Sequence, residues 1–207
     1  ETRILSTVQK RDNWFEPTAR YWINEARVID CFETSHWKSL WLMGWRDICR
    51  STDERTVISG AIPRVACGDK YLLALPNQTA DRCAALLANF NALVLDFIAR
   101  QKVGGTSLKY FTMKQLTILP PHAYDKAALA FIFPRVLELT YTSHSMAPFA
   151  RDLGHEGPPF AWDEARRAQL RAELDAWYAL AYGLSRDELR YVLSLIHISE
   201  PTRLLSI

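Results

Sequence analysis

Two stretches of this chain concentrate side chains that could hold a polyanion. Residues 44–56 carry Arg46, Arg50 and Arg55 beside Asp47, Asp53 and Glu54, with Ser51 and Thr52 between them. Two readings stay open for this stretch: a solvated turn whose ions pair internally, or a loop whose arginines reach phosphates or guanine edges. Residues 97–124 are more one-sided. They hold no Asp or Glu, yet they contain Arg100, Lys102, Lys109 and Lys114, with Tyr110 and Phe111 interleaved. The formal net charge of the whole chain is only +2, so a local excess of cations is the footprint expected of a phosphate-facing surface. Gly104 and Gly105 would let the backbone approach a partner closely. The plain alternative is a basic loop with two core aromatics.

Other chemistries are missing. Adenine-N6 and cytosine-N4 methyltransferases hold the flipped base with a polar-Pro-Pro-aromatic motif. The Pro-Pro pairs here follow Leu119 and Gly157, which cannot accept a hydrogen bond from the target amine through a side chain. A glycine-rich loop after a strand, needed to cradle S-adenosylmethionine, is absent, because Gly104-Gly105 follows a helical pattern. No Asp or Glu has a Lys two residues later, the spacing used by common restriction nucleases to hold a metal. His36, His122, His144, His155 and His197 are too scattered for a ligand set. Glu164, Glu173, Asp175, Asp187 and Glu188 are expected on solvated helix faces. Cys31, Cys49, Cys67 and Cys83 lack a Cys-x-x-Cys spacing and are expected to be small buried hydrophobes.

The elements that must position these residues can be read from pattern. With 207 residues, 49% of them hydrophobic, the chain can bury a sizeable core. No apolar run reaches the roughly 18 residues that span a bilayer, and no leader peptide is seen, so a cytoplasmic, prokaryotic protein with no membrane partner is expected. Residues 1–38 read as an irregular lead-in segment. Strands are expected at 39–45, 56–62 and 71–75, with Gly68-Asp69 turning a hairpin between the last two and Pro63 at an edge. Residues 80–101 follow a helical apolar period and read as one helix, buried nearly all round. Residues 108–119 suit a short strand or a helical turn. A helix starts near Asp125, and Pro134 is expected to interrupt it and begin another. Asp163 should cap a helix with inner face Leu170, Leu174, Trp177, Tyr178 and Ala181, stopped by Gly183. Ser185 and Glu188 form a capping box for one more helix. The closing run SLIHISEPTRLLSI (194–207) resembles the translation of sequencing-adapter read-through and is expected to be a non-native tail.

A family resemblance rests on the same clusters. GWRDICRSTDERTVI (44–58) with Ile62-Pro63-Arg64 is similar to the C-terminal part of long restriction-modification DNA methylases. So are LANFNALVLDFIARQKVGGT (87–106) with LTILPP (116–121), and PPFAWDEARR (158–167) with LDA (174–176) and YGLSRD (182–187). These ungapped motifs span roughly residues 20–193. The resemblance implies an α+β fold: a small twisted, mostly antiparallel sheet packed with helices in residues 39–124, as in target recognition domains, followed by a helical part at 125–193. Residues 1–38 would continue from a missing N-terminal methylase domain. It further implies double-stranded DNA as partner, read through Arg46, Arg50, Arg55, Arg64, Arg100, Lys102, Gly104, Gly105, Thr106, Lys109 and Lys114. S-adenosylmethionine would serve the parent adenine-N6 methyltransferase, in a restriction-modification or phage-defence system, with no cofactor in this fragment. The alternative is a non-catalytic specificity or scaffold subunit acting mainly through protein contacts.

Since both the cofactor loop and the base-binding motif are missing, the chain on its own should transfer no methyl group. Incorporation of label from S-adenosylmethionine into mixed DNA, above a no-protein control in a filter assay, would contradict this.

Overall fold

The computed structural model describes residues 5–19, 21–33 and 35–198, the side chains of 196–198 excepted. The fold is α+β: a three-stranded antiparallel sheet packed among helices, with a helical C-terminal part. Strands β1 (Trp41–Arg46), β2 (Ser59–Pro63) and β3 (Tyr71–Ala74) lie in the order β2-β1-β3. The expected hairpin between β2 and β3 therefore does not form. Both strands pair with β1 instead, because β1 is the strand with buried residues on both faces: Trp41, Leu42, Met43 and Trp45 are all buried. Alternation sends Trp41, Met43 and Trp45 to one face. There Trp41 meets the Phe149 ring and Trp45 meets Phe90 and Tyr110, all edge-on. Pro63 sits on edge strand β2, opposite Trp41, where its missing N–H costs no ladder bond.

Gly44 is required by the close approach of β3. A Cβ there would lie 2.2 Å from the Leu72 carbonyl oxygen. The Tyr71 ring covers the gap, and its hydroxyl donates to the Gly60 carbonyl at 2.6 Å, so one side chain spans all three strands. Burial pushes the Tyr71 phenol well above its ordinary range, consistent with a neutral donor.

The expected helix over 80–101 is two helices, α3 (Ala80–Asn91) and α4 (Leu93–Lys102), bent by 58° at an extended Ala92. The break gives α4 its own N-terminus, whose Leu93 amide donates to the Asp175 carboxylate at 2.8 Å. It also frees Asn91, whose side chain donates to the carbonyl and accepts from the amide of Ser59, both at 3.1 Å, covering part of the β2 edge. No single helix among the described residues is long and apolar enough to cross a membrane; only this bent pair passes by length and composition, and most of α3 is buried in the core.

Helix α5 (Tyr110–Met113) is the single turn that residues 108–119 contribute. Helix α6 (Lys126–Thr140) is capped by Asp125 and runs through Pro134 without ending, another departure from expectation. The next residue, Arg135, folds back on the helix: its Nη1 donates to the Phe131 carbonyl at 2.6 Å, and its guanidinium lies 3.5 Å from the Phe131 ring centroid. Helix α7 (Ala147–Asp152) follows. Helix α8 (Glu164–Ala181) starts at the Asp163 cap and stops at Gly183, whose φ of 76° is left-handed. Its buried face is Leu170, Leu174, Tyr178 and Ala179; Ala181, expected inside, is exposed. Helix α9 (Arg186–Ile198) begins at the Ser185–Glu188 box, with reciprocal bonds of 2.8 and 3.3 Å. It runs into the segment expected to be a tail; residues 199–207 of that segment lie outside the described residues.

In the lead-in segment lie α1 (Thr7–Arg11) and α2 (Glu25–Glu33), neither with a buried residue. The segment leans on the C-terminal part: Trp14 stacks on His144 at 3.9 Å, and Asn13 accepts from the His144 amide. Of the cysteines, Cys49 and Cys83 are buried as expected, but Cys67 is half-buried and Cys31 exposed. Buried residues from Trp37 to Tyr178 form one cluster, so the sheet part and the helical part share a core.

Gly44→Ala should cost about 3 kcal/mol or more, the upper end of overpacking, since the obstacle is backbone. Tyr71→Phe should cost only about 0.5–1.5 kcal/mol, one hydrogen bond. Urea unfolding of both variants checks the order; equal losses would show that Gly44 is not under the constraint described.

Candidate nucleic-acid interface

The two polyanion-holding stretches meet in space. The Cys49 amide donates to the Thr106 carbonyl at 3.1 Å and the Leu108 amide to the Asp47 carbonyl at 2.7 Å, around an isolated bridge between Ile48 and Ser107. The loop after β1 is thus stitched to the loop after α4, and Trp45 Nε1 adds a bond to the Leu108 carbonyl at 2.7 Å. Nothing in either stretch alone foretells this pairing, which joins residues about 60 apart in sequence.

The arginines divide by role. Arg100 is turned inward, its side chain 7% exposed. It pairs with the fully buried Asp96 at 2.9 Å and donates to the carbonyls of Ser51, Asp53 and Glu54 at 2.9, 2.7 and 2.7 Å. It is a strut under the 51–55 loop. Arg55 also faces inward: Nη1 donates to the Asn91 carbonyl at 3.2 Å and Nη2 lies 3.6 Å from Asp175. Asp175, expected on a solvated face, has a side chain only 15% exposed. Burial raises its pKa, against the pull of Arg55. Arg46 pairs with Asp53 at 3.5 Å and keeps a shielded Nε without a partner. Arg64 is half-buried, its guanidinium 5.9 Å from the Phe32 ring centroid on the β2 edge. Arg50 is exposed.

The lysines point outward. Lys102 and Lys114 are exposed. Lys109, half exposed, donates to Asp47 at 2.7 Å, and Lys70, which sequence reasoning passed over, reaches the same oxygen at 3.4 Å. Asp47 is fully buried, and its other carboxylate oxygen has no partner among the described residues. The bond from Lys109 holds the Asp47 pKa below the ordinary carboxylate range, against the effect of burial. Lys70 also meets Asp69 at 3.1 Å, and these contacts raise its pKa. Of the two aromatics weighed as core, Phe111 is 77% exposed. Tyr110 is half exposed and donates to the Leu73 carbonyl. Thr106 is exposed, with only its backbone in the bridge.

Gly104 and Gly105 have ordinary φ values, and a Cβ at either would meet nothing within 4 Å. Internal packing does not demand glycine there, which leaves room for an outside partner to approach the backbone. They follow α4, and the turn from β3 into α3, residues 75–79, has no glycine. The residues present therefore do not fit an S-adenosylmethionine cradle of the strand–loop–helix kind.

No protein-family model matches the chain, and no curated protein or solved structure matches it either.

Arg100→Ala should destabilise the fold by about 3–5 kcal/mol, because it strands a buried carboxylate. Hydrogen exchange at the Thr56 and Val57 amides should accelerate with it. Lys102→Ala should stay within about 0.5 kcal/mol of the parent, as exposed substitutions usually do. Equal stability of the two variants would show that Arg100 is not a strut.

Proposed function

We propose that this chain is the DNA-recognition segment of a site-specific, S-adenosylmethionine-dependent DNA adenine-N6 methyltransferase of a restriction-modification or phage-defence system, as its motifs suggest. The observation that carries the DNA part is the stitched pair of loops. The two stretches it joins carry the exposed Arg50, Lys102, Lys109 and Lys114, the exposed Phe111 and a glycine pair at which a Cβ would meet nothing. Lysines at such a surface position the duplex through phosphates, and an exposed arginine such as Arg50 is the group able to read a guanine edge. The methylase chemistry and its cofactor belong to the parent enzyme in this reading.

A second reading is a non-catalytic specificity or scaffold subunit working through protein contacts. Trp22 and Ile23, 82% and 57% exposed in the lead-in segment, favour it, since neighbouring large apolar groups in water mark interaction sites. An Asn-Pro-Pro-Tyr motif upstream in the same reading frame would decide for the methyltransferase.

Lys102→Ala with Lys114→Ala is the clean test, because neither lysine has a partner among the described residues, whereas Lys109 supports Asp47. Duplex binding by the parent should weaken steeply with salt. The double variant should bind all sequences more weakly, and its log–log salt slope should fall by about 1.8, or 0.9 per lost contact. Arg50→Ala should cost about 1–3 kcal/mol at one base position only. Unchanged affinity and slope in the double variant would remove this face from DNA and move the scaffold reading ahead.

A further inference from the structure

A cleft of about 650 Å³ opens between the β2 edge and helices α3, α6 and α8, within the size range of small-molecule sites. Its lining is mixed: Val57, Leu87, Val136 and Leu174 form the apolar walls, and Arg167 and Arg171 line it together with Arg55 and the carboxylates Glu54 and Asp175. Arg167 and Arg171 lie one turn apart on α8, a like-charge spacing that by itself destabilises a helix. Arg167 is held in place. Its guanidinium stacks on Trp162, 3.7 Å from the ring centroid, and Nη1 donates to the Leu139 carbonyl at 2.9 Å. Its Nε is shielded and has no partner.

The nearby carboxylates are engaged elsewhere. Glu138 takes Arg166 in a fork at 2.8 and 2.9 Å, Glu164 accepts from Trp162 at 2.7 Å, and Asp175 pairs with Arg55. Among the described residues, no carboxylate lies within ion-pair distance of Arg167 or Arg171. Two adjacent cations therefore line the cleft without an ion pair of their own, their charge offset at longer range by Glu138, Glu164 and Asp175. A guanidinium pair fits a dianion, and a phosphate monoester carries close to two charges at neutral pH.

We propose that this cleft binds a small organic phosphate of nucleotide size, its phosphate on Arg167 and Arg171 and its body against the apolar walls. None of Arg50, Lys102, Lys109 and Lys114 lines the cleft, so the site stands whether or not that face binds DNA.

Calorimetric titration of the full chain with adenosine 5′-monophosphate, inorganic phosphate and adenosine tests this. The monophosphate should bind more tightly than either of its parts. Arg171→Ala, an exposed position, should weaken it about tenfold or more, the loss of one charged hydrogen bond. Arg167→Lys should weaken it as well, since a lysine keeps the charge but not the planar fork. The Lys102→Ala, Lys114→Ala variant should bind it like the parent. The proposal is overturned if the monophosphate gives no binding at millimolar concentration, if it binds Arg171→Ala as well as the parent, or if inorganic phosphate binds as tightly, which would leave the apolar walls without a part.

Discussion

The Asp96 carboxylate is fully buried, and the structure around the candidate interface depends on how it is satisfied. It accepts from the Thr56 and Val57 amides, both at 2.8 Å, and from Arg100 Nε at 2.9 Å. A buried charge with one partner would be a liability; with three donors it becomes an anchor. Arg100 then has donors left over, and they collect the carbonyls of the 51–55 loop. One ion pair inside α4 thus fixes where the chain leaves β1 and where it enters β2. The loop has few apolar groups of its own to bury, so this polar clamp sets its path.

A second polar hub ties the C-terminal helices to the same core. Asn89 on α3 is fully buried; it donates to the Tyr182 hydroxyl at 2.9 Å and accepts from the Leu119 amide at 3.0 Å. Tyr178 donates to the Ala85 carbonyl at 2.6 Å. Asp175 caps α4 and holds Arg55. The bonds from Tyr182, Tyr178 and Asp175 link α8 or its end to α3 and α4, so the helical part orders the same two helices that precede the candidate interface loop. Such networks are strong when complete and costly when broken, which couples the C-terminal part to the sheet.

What was legible in the sequence was what local rules decide. The three strands and the caps at Asp125, Asp163, Gly183 and Ser185 follow from side chains acting within a few residues of themselves. What was not legible was decided at long range. The break at Ala92 has no local signal such as Gly or Pro; the Leu93 amide it exposes is taken up by Asp175, 82 residues further along. The order β2-β1-β3 depends on which strand is buried on both faces, which a turn signal at Gly68 cannot report. Pro134 stays in its helix because α6 is packed along α3 and α8, a tertiary constraint that the backbone pattern does not include. The candidate site was half legible. Its residue types were visible, but the inward or outward turn of each one was not.

That distinction changes what an acid-free stretch of sequence means. Residues 97–124 contain no carboxylate, yet two of their four basic side chains meet one. Arg100 is matched by Asp96, just outside the stretch, and Lys109 by Asp47, far outside it. Composition within a window counts charges, whereas a surface potential depends on which charges lack a counter-ion nearby. By that measure the field of the candidate interface comes chiefly from Lys102, Lys114 and Arg50, with Lys70 and Lys109 contributing what one shared carboxylate and Asp69 leave over. Asp47 then works as an organiser rather than a neutraliser. Its backbone joins the two loops, and its side chain holds two lysines at their junction, fixing where cations stand at the cost of part of their charge.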